Sequence, residues 1–352
     1  MSSDRDQGSA PAGGQLTGEA LAEGLERLGA TARMIRANVE RVIVGKAATI
    51  DLLLVALLSE GNVLIEDVPG LGKTVLAKAL ARSLDVPFAR IQGTADLLPG
   101  DVTGVSYFSQ KLSEFEFRPG PIFANIALAD EINRATPRTQ SALLEAMQER
   151  QVTVDGATMP LPRPFMLIAT QNPIELEGTF PLPEAQLDRF LLRLRVNYPT
   201  LDEERAILGR FKLTQPLDTL EPVASGEDLL RLLPVVRSIY VSPAVTDYLL
   251  ALVRATREHP DVELGASPRA SLALYRAAQA YAALAGRDYM LPDDVKALAQ
   301  STLAHRLLLT VQSSLQRDSA ERILESALHS TSAPVEDLRR ASAGEASGAG
   351  LP

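Results

Sequence analysis

Asn62-Val63-Leu64-Ile65-Glu66-Asp67-Val68-Pro69-Gly70-Leu71-Gly72-Lys73-Thr74-Val75 is the stretch on which the fold turns. Its first four residues form an apolar run between Gly61 and the Pro69–Gly70 turn, too short for a helix and suited to a buried strand. Gly72-Lys73-Thr74 then opens a helical pattern over Lys73 to Ser83. A strand, a glycine-bearing turn and a helix N-terminus together make a phosphate cradle, because backbone N–H groups and the helix dipole face the anion. In such a cradle Pro69, Gly70, Leu71 and Gly72 supply the loop and Val75 lies in the first helical turn. Lys73 reaches the β- and γ-phosphates of a nucleotide, and the Thr74 hydroxyl ligates Mg²⁺. The usual pattern starts with Gly five positions before Gly72, where this chain has Asp67.

Outward from this motif, short apolar runs at Phe88 to Ile91, Ile126 to Ala129, Phe165 to Ala169 and Leu191 to Val196 alternate with helical patterns such as Pro137 to Gln148. That alternation predicts an α/β fold, with parallel strands under crossover helices. Two stretches interrupt it and read as inserted hairpins: Gly104 to Arg118, where Glu114-Phe115-Glu116-Phe117 alternates with period two, and Val152 to Leu161 around Asp155-Gly156. Before the cradle, Leu21, Leu25, Leu28, Ile35 and Val39 mark one helix, and Ile50, Leu53, Leu54, Leu57 and Leu58 another. Past Thr200 strand patterns are expected to stop. Amphipathic helices follow over Asp202 to Arg210, Gly226 to Arg237, Pro243 to Glu258, Pro268 to Leu284 and Pro292 to Leu303, with Ser-Pro pairs opening two of them. The expected organisation is therefore a polar arm over 1–16, an α/β nucleotide-binding domain over 17–200, an all-helical lid domain over 201–332, and a mostly polar tail over 333–352.

Three further strand ends carry chemistry. Ile126-Ala127-Leu128-Ala129-Asp130-Glu131 ends in two carboxylates, and at the carboxyl end of a parallel strand beside a phosphate loop they divide the work: Asp130 for Mg²⁺, Glu131 for the attacking water. Leu167-Ile168-Ala169-Thr170-Gln171-Asn172-Pro173 brings Asn172 toward the γ-phosphate or the water, although Asn before Pro also starts turns. Asp188-Arg189-Phe190 precedes the last strand. Gly265-Ala266-Ser267-Pro268-Arg269 puts Arg269 in the first turn of a helix, where its charge opposes the dipole and an anionic partner would offset that.

Composition narrows the options. Lys and Arg total 35 against 44 Asp and Glu, a formal charge of -9 over 352 residues, which disfavours a duplex-coating basic protein. The chain has no Cys, so thiolate nucleophiles and Cys-ligated metal sites are excluded. The apolar run Leu52 to Leu58 is far below the roughly 20 residues of a membrane-spanning helix, and the N-terminus has no apolar signal core. The expectation is a cytoplasmic protein with neither membrane insertion nor nucleic acid as partner. His259, His305 and His329 are too scattered for a metal cluster and read as surface or capping residues.

Taken together, the sequence resembles the MoxR family of AAA+ ATPases over roughly Val42 to Leu309. The collinear motifs that carry the resemblance are Val-Pro-Gly-Leu-Gly-Lys-Thr at 68–74, Leu-Leu-Pro-Gly-Asp-Val-Thr-Gly at 97–104, Phe-Arg-Pro-Gly-Pro-Ile-Phe at 117–123, Ala-Asp-Glu-Ile-Asn-Arg-Ala at 129–135, Ala-Thr-Gln-Asn-Pro at 169–173, Pro-Leu-Pro-Glu-Ala-Gln-Leu-Asp-Arg-Phe at 181–190 and Gly-Ala-Ser-Pro-Arg-Ala at 265–270. The resemblance implies a three-layer AAA+ domain followed by a helical lid. It makes Lys73 and Thr74 part of Walker A, Asp130 and Glu131 Walker B, Asn172 sensor 1, Arg189 the arginine finger with Arg193 as the alternative, and Arg269 sensor 2. It sets Val44 and Gly45 against the adenine and names the 104–118 hairpin the helix-2 insert. It further implies ATP and Mg²⁺ as ligands, a homo-oligomeric ring, most simply a hexamer, and a chaperone role in maturing or activating a protein complex with a von Willebrand factor A domain partner. The competing readings are the motor subunit of a metal chelatase, a nucleic-acid translocase, and a nucleotide-sensing scaffold without turnover.

Overall fold

The computed structural model describes residues 16–334, apart from 67, 69, 112, 173–177, 213–214 and 316–318. Residues 1–15 of the expected polar arm and most of the tail lie outside the described residues. Eleven strands are described: β1 (Val63–Glu66), β2 (Phe88–Gln92), β3 (Gly104–Ser109), β4 (Glu114–Pro119), β5 (Ile126–Asp130), β6 (Gln151–Val154), β7 (Ala157–Pro160), β8 (Met166–Gln171), β9 (Leu192–Leu194), β10 (Val262–Leu264) and β11 (Leu308–Leu309). The α-helices are α1 (Gly18–Glu40), α2 (Ala47–Leu58), α3 (Lys73–Ser83), α4 (Pro99–Thr103), α5 (Pro137–Glu149), α6 (Glu184–Leu187), α7 (Leu201–Arg210), α8 (Gly226–Arg237), α9 (Pro243–Glu258), α10 (Pro268–Leu284), α11 (Pro292–Leu303), α12 (Val311–Leu315) and α13 (Ala320–Ser330).

Five strands form one sheet in the order β2-β5-β8-β1-β9, every neighbouring pair parallel. Side chains alternate between its faces. Ile65, Ile126, Leu128 and Ile168 pack on one side with α1, α2 and α3. Leu64, Ala127, Ala129, Leu167 and Ala169 pack on the other with Leu143, Leu144 and Met147 of α5. The result is three layers, helix on sheet on helix, as the alternating pattern predicts.

The two interruptions are antiparallel hairpins, β3 with β4 and β6 with β7. The first is exposed and carries an edge-to-face pair, Phe108 and Phe115, with centroids 5.5 Å apart. Beyond Thr200 the helices begin as the Ser-Pro signals predict: Ser242 accepts from the Val245 N–H and Ser267 from the Ala270 N–H. The small side chains of α10, Ala270, Ala277, Ala278 and Ala280 among them, are fully buried, which brings α8, α9 and α11 close around it. The first hydrophobic cluster runs without interruption from the sheet through α1 and α2 into α10 and α11.

Two expectations need correction. The region after Thr200 is not all helix, because β10 and β11 form a short antiparallel ladder across the base of α9. Strands of three and two residues are too short for periodicity to reveal. Leu191 to Val196 contributes only Leu192–Leu194 to the sheet, since β9 is an edge strand paired on one side by β1.

Candidate functional site

In the order β5-β8-β1, three neighbouring strands end on the same edge of the sheet. The phosphate loop follows β1, Gln171 and Asn172 close β8, and Asp130 and Glu131 close β5. Loops at the carboxyl edge of a parallel sheet are where such folds bind ligands. Topology thus collects the predicted residues in one place.

Gly70 and Gly72 have φ of +87° and +80°, and a Cβ built on either meets nothing within 4 Å, so the loop turns around open space. Gly72 is the N-cap of α3 and offers that helix no side-chain acceptor. The first-turn N–H groups of α3 are therefore available to an anion, with Thr74 and Val75 among them. Lys73 Nζ donates to Val68 O at 3.1 Å, which holds the ammonium over the loop. Pro69 lies outside the described residues.

Asp130 and Glu131 are organised by neighbours from other strands. The Thr170 hydroxyl donates to Asp130 Oδ1 at 2.7 Å and accepts from the Glu131 N–H at 2.9 Å, linking the two carboxylate positions to β8. Arg90 on β2 donates to Asp130 Oδ2 at 2.6 Å and 3.1 Å through two nitrogens. Glu131 has a left-handed backbone, φ +55°, and its Oε2 accepts from Gln92 at 3.2 Å and Arg134 at 3.1 Å. Gly93 is required beside it: a Cβ there would stand 2.1 Å from Glu131 O. Asn172 is buried at the end of β8. A hydroxyl and a carboxylate are hard oxygen donors of the kind Mg²⁺ takes, and Asp130 Oδ1, which accepts only from Thr170, keeps a lone pair.

The two candidate finger arginines differ. Arg193 on β9 is tied within its own chain, to Glu66 at 3.1 Å and to Glu321 on α13 at 2.7 Å. Arg189 has no carboxylate within ion-pair reach among the described residues, and its Nε is buried without a hydrogen-bond partner. The preceding Asp188 reaches into the helical region: its carboxylate accepts from the Ser267 hydroxyl at 3.2 Å and lies 3.9 Å from Arg269 and 3.3 Å from Arg306. Arg306 is buried, and burial lowers its pKa to about 10 even with Asp188 opposing. Val44 and Gly45 form the turn between α1 and α2. Gly45 has φ +71°, and a Cβ there would lie 1.7 Å from Glu203 Oε1 on α7, so this turn abuts the start of the helical region.

Comparison with known proteins decides the family. The chaperone MoxR1 of Mycobacterium tuberculosis is 44% identical over 306 residues, covering 84% of this chain and 81% of that protein. The chain belongs to the MoxR family of AAA+ ATPases. The family described as ATPases associated with various cellular activities matches residues 62–192, and the AAA lid domain matches 254–327. YeaC of Bacillus subtilis is 52% identical over 299 residues, 85% of this chain and 93% of that one. A solved structure from Cytophaga hutchinsonii, described as a presumed ATPase, superposes with a TM-score of 0.84 at 37% identity, covering 89% of this chain and 97% of that one.

Within this MoxR-family site, sequence reasoning missed Arg90, Gln92, Arg134 and Thr170, the residues that hold Asp130 and Glu131, and Arg306 behind Asp188. Gln92 is brought to this site by the parallel register, which pairs it with Asp130. Among the histidines, His305 is not a surface residue. It is buried, its ring Nε2 lies 3.0 Å from Phe190 O, and burial followed by the Arg306 charge pushes its pKa well below the usual value. Among the described residues no group of three His, Asp or Glu is placed to hold a metal, and no helix is long and apolar enough to cross a membrane.

Proposed function

We propose that this chain binds ATP with Mg²⁺ in the 69–75 cradle at the interface between subunits of a homo-oligomeric ring, a hexamer, in the cytoplasm. Hydrolysis of ATP to ADP and phosphate drives a chaperone cycle that matures or activates a protein complex, with a von Willebrand factor A domain protein as partner. The observation that supports this reading most is the gathering of Lys73, Asp130, Glu131 and Asn172 at one sheet edge, together with an Arg189 that has no carboxylate within ion-pair reach among the described residues.

In this proposal Lys73 and the α3 N-terminus hold the β- and γ-phosphates, and the adenine rests against Val44 and Gly45. Thr74 and Asp130 hold Mg²⁺, which when bound neutralises charge on the phosphate oxygens. Asn172 orients a water, and Glu131 accepts its proton as the oxygen attacks the γ-phosphorus and the bond to the ADP oxygen breaks. Arg189 serves the nucleotide of a neighbouring subunit. Arg269, held near Asp188 at 3.9 Å, serves as sensor 2 at a nucleotide, its own subunit's or a neighbour's. The helical region, 201–332, swings against the 17–200 domain through the cycle.

A shared site makes turnover depend on assembly. Mg-ATP turnover per subunit is expected to rise with protein concentration, with Lys73→Ala removing nucleotide binding and Glu131→Gln retaining binding while turnover falls about 10²-fold or more. Turnover per subunit that is constant from dilute to concentrated protein would contradict the shared site.

A further inference from the structure

At the amino edge of the sheet, opposite the nucleotide cradle, a single carboxylate is surrounded by guanidinium groups. Glu60, just before β1, accepts from Arg150 at 2.6 Å, Arg163 at 2.8 Å and Arg237 at 2.6 Å. Arg150 also donates to Glu60 O at 2.6 Å. Burial alone would raise the Glu60 pKa, but the hydrogen bonds and charges of Arg150 and Arg163 outweigh it and hold it low. The carboxylate is therefore ionised, and it offsets one of three positive charges.

Both ends of this cluster occupy left-handed backbone, Glu60 at φ +51° and Arg150 at φ +53°. Each closes a helix at the kind of position where glycine is the low-strain choice. The chain instead carries long charged side chains there, aimed at each other. Beside the cluster runs an open groove of about 1040 Å³, lined by Arg150, Arg237 and Arg276 together with Leu21, Leu58 and Leu272, with Asp288 the one further acid on it among its described lining residues. Arg237 and Arg276 are exposed. A guanidinium has five N–H donors, so Arg237 retains donors beyond its bond to Glu60.

We propose that this groove binds an acidic peptide segment of a partner protein, carboxylates on the arginines and an apolar side chain against the exposed Leu272. Charge complementarity favours this occupant: a net positive groove on a chain of charge -9 selects an acidic ligand locally while the rest of the surface repels one. A groove of this volume, with Leu272 exposed on it, suits a chain of residues better than a single small anion. The proposal does not rest on the nucleotide reading, because the groove lies at the opposite sheet edge.

The test is fluorescence anisotropy of the full chain, without nucleotide, against a labelled peptide of Glu-Glu-Leu repeats and its Gln-Gln-Leu counterpart. Binding of the acidic peptide alone, weakening with salt, is expected. Arg237→Gln and Arg276→Gln should each weaken it about tenfold, with basal ATP turnover retained in both. Equal binding of the two peptides, or undiminished binding by both variants, would overturn the proposal. So would a change in sedimenting mass of the variants with peptide affinity intact, because the groove would then be an interface between copies of this chain.

Discussion

At the scale of single residues, the site depends on where Glu131 can stand. Its left-handed backbone and the Gln92 and Arg134 bonds hold the carboxylate at the mouth of β5, and Gly93 permits that by leaving room for Glu131 O. Gly93→Ala would press a methyl against that carbonyl, and the Glu131 backbone, not a flexible side chain, must give way. We expect ATP affinity to stay within about threefold while turnover falls about tenfold or more, since a misplaced general base loses rate before binding. Nucleotide titration and steady-state turnover on one preparation check this; equal losses in both would show that the glycine serves the fold and not the base. Legibility at this scale was uneven. Lys73 is read from the helix it opens, and Asp130, Glu131 and Asn172 from the strands they close, all local signals. Arg90, Gln92 and Thr170 meet the same carboxylates only after the sheet has chosen its register, and Asp130 and Gln92 stand far apart along the chain.

At the scale of elements, helix starts are legible because their chemistry is local. Ser225, Ser242 and Ser267 each cap the helix that follows them through a side-chain oxygen. The β10–β11 ladder was illegible for the opposite reason, since its strands meet across more than forty residues of chain between Leu264 and Leu308. The short 3₁₀ turn Ala304–Arg306 that precedes β11 shows what such contacts do. His305 and Arg306 both reach Phe190 O, at 3.0 Å and 2.6 Å, fastening the helical region to the entry of β9. Burial and the Arg306 charge keep His305 neutral in the folded chain. The unfolded chain protonates it at a pKa of about 6.5. The contribution of this residue to stability is thus complete above that pH and is lost as pH falls below it, by up to about 1.4 kcal/mol per pH unit. Urea unfolding at pH 7.5 and 5.5 is expected to show a steeper loss for the natural chain than for His305→Gln. Identical slopes would mean that the ring is protonated or accessible in the folded state.

At the scale of the whole molecule, the continuous hydrophobic cluster from the sheet through α1 and α2 into α10 and α11 joins the nucleotide edge to the helical region. Arg193 strengthens the same junction by pairing Glu66, just before the phosphate loop, with Glu321 on α13. That engagement of Arg193 supports the proposal that Arg189 is the arginine offered to a neighbour, a choice that the sequence from Asp188 to Arg193 leaves open. In the proposed ring each active site takes its cradle from one subunit and its arginine from the next. The most direct measurement of this sharing mixes two inactive variants, Lys73→Ala, which keeps Arg189, and Arg189→Ala, which keeps the cradle. An arginine supplied in trans is worth about 10³- to 10⁵-fold in related phosphoryl transfers, so each variant alone should be nearly silent while the mixture regains a substantial fraction of Mg-ATP turnover. A mixture as silent as its parts, or an Arg189→Ala chain that hydrolyses ATP at the natural rate, would contradict the shared site.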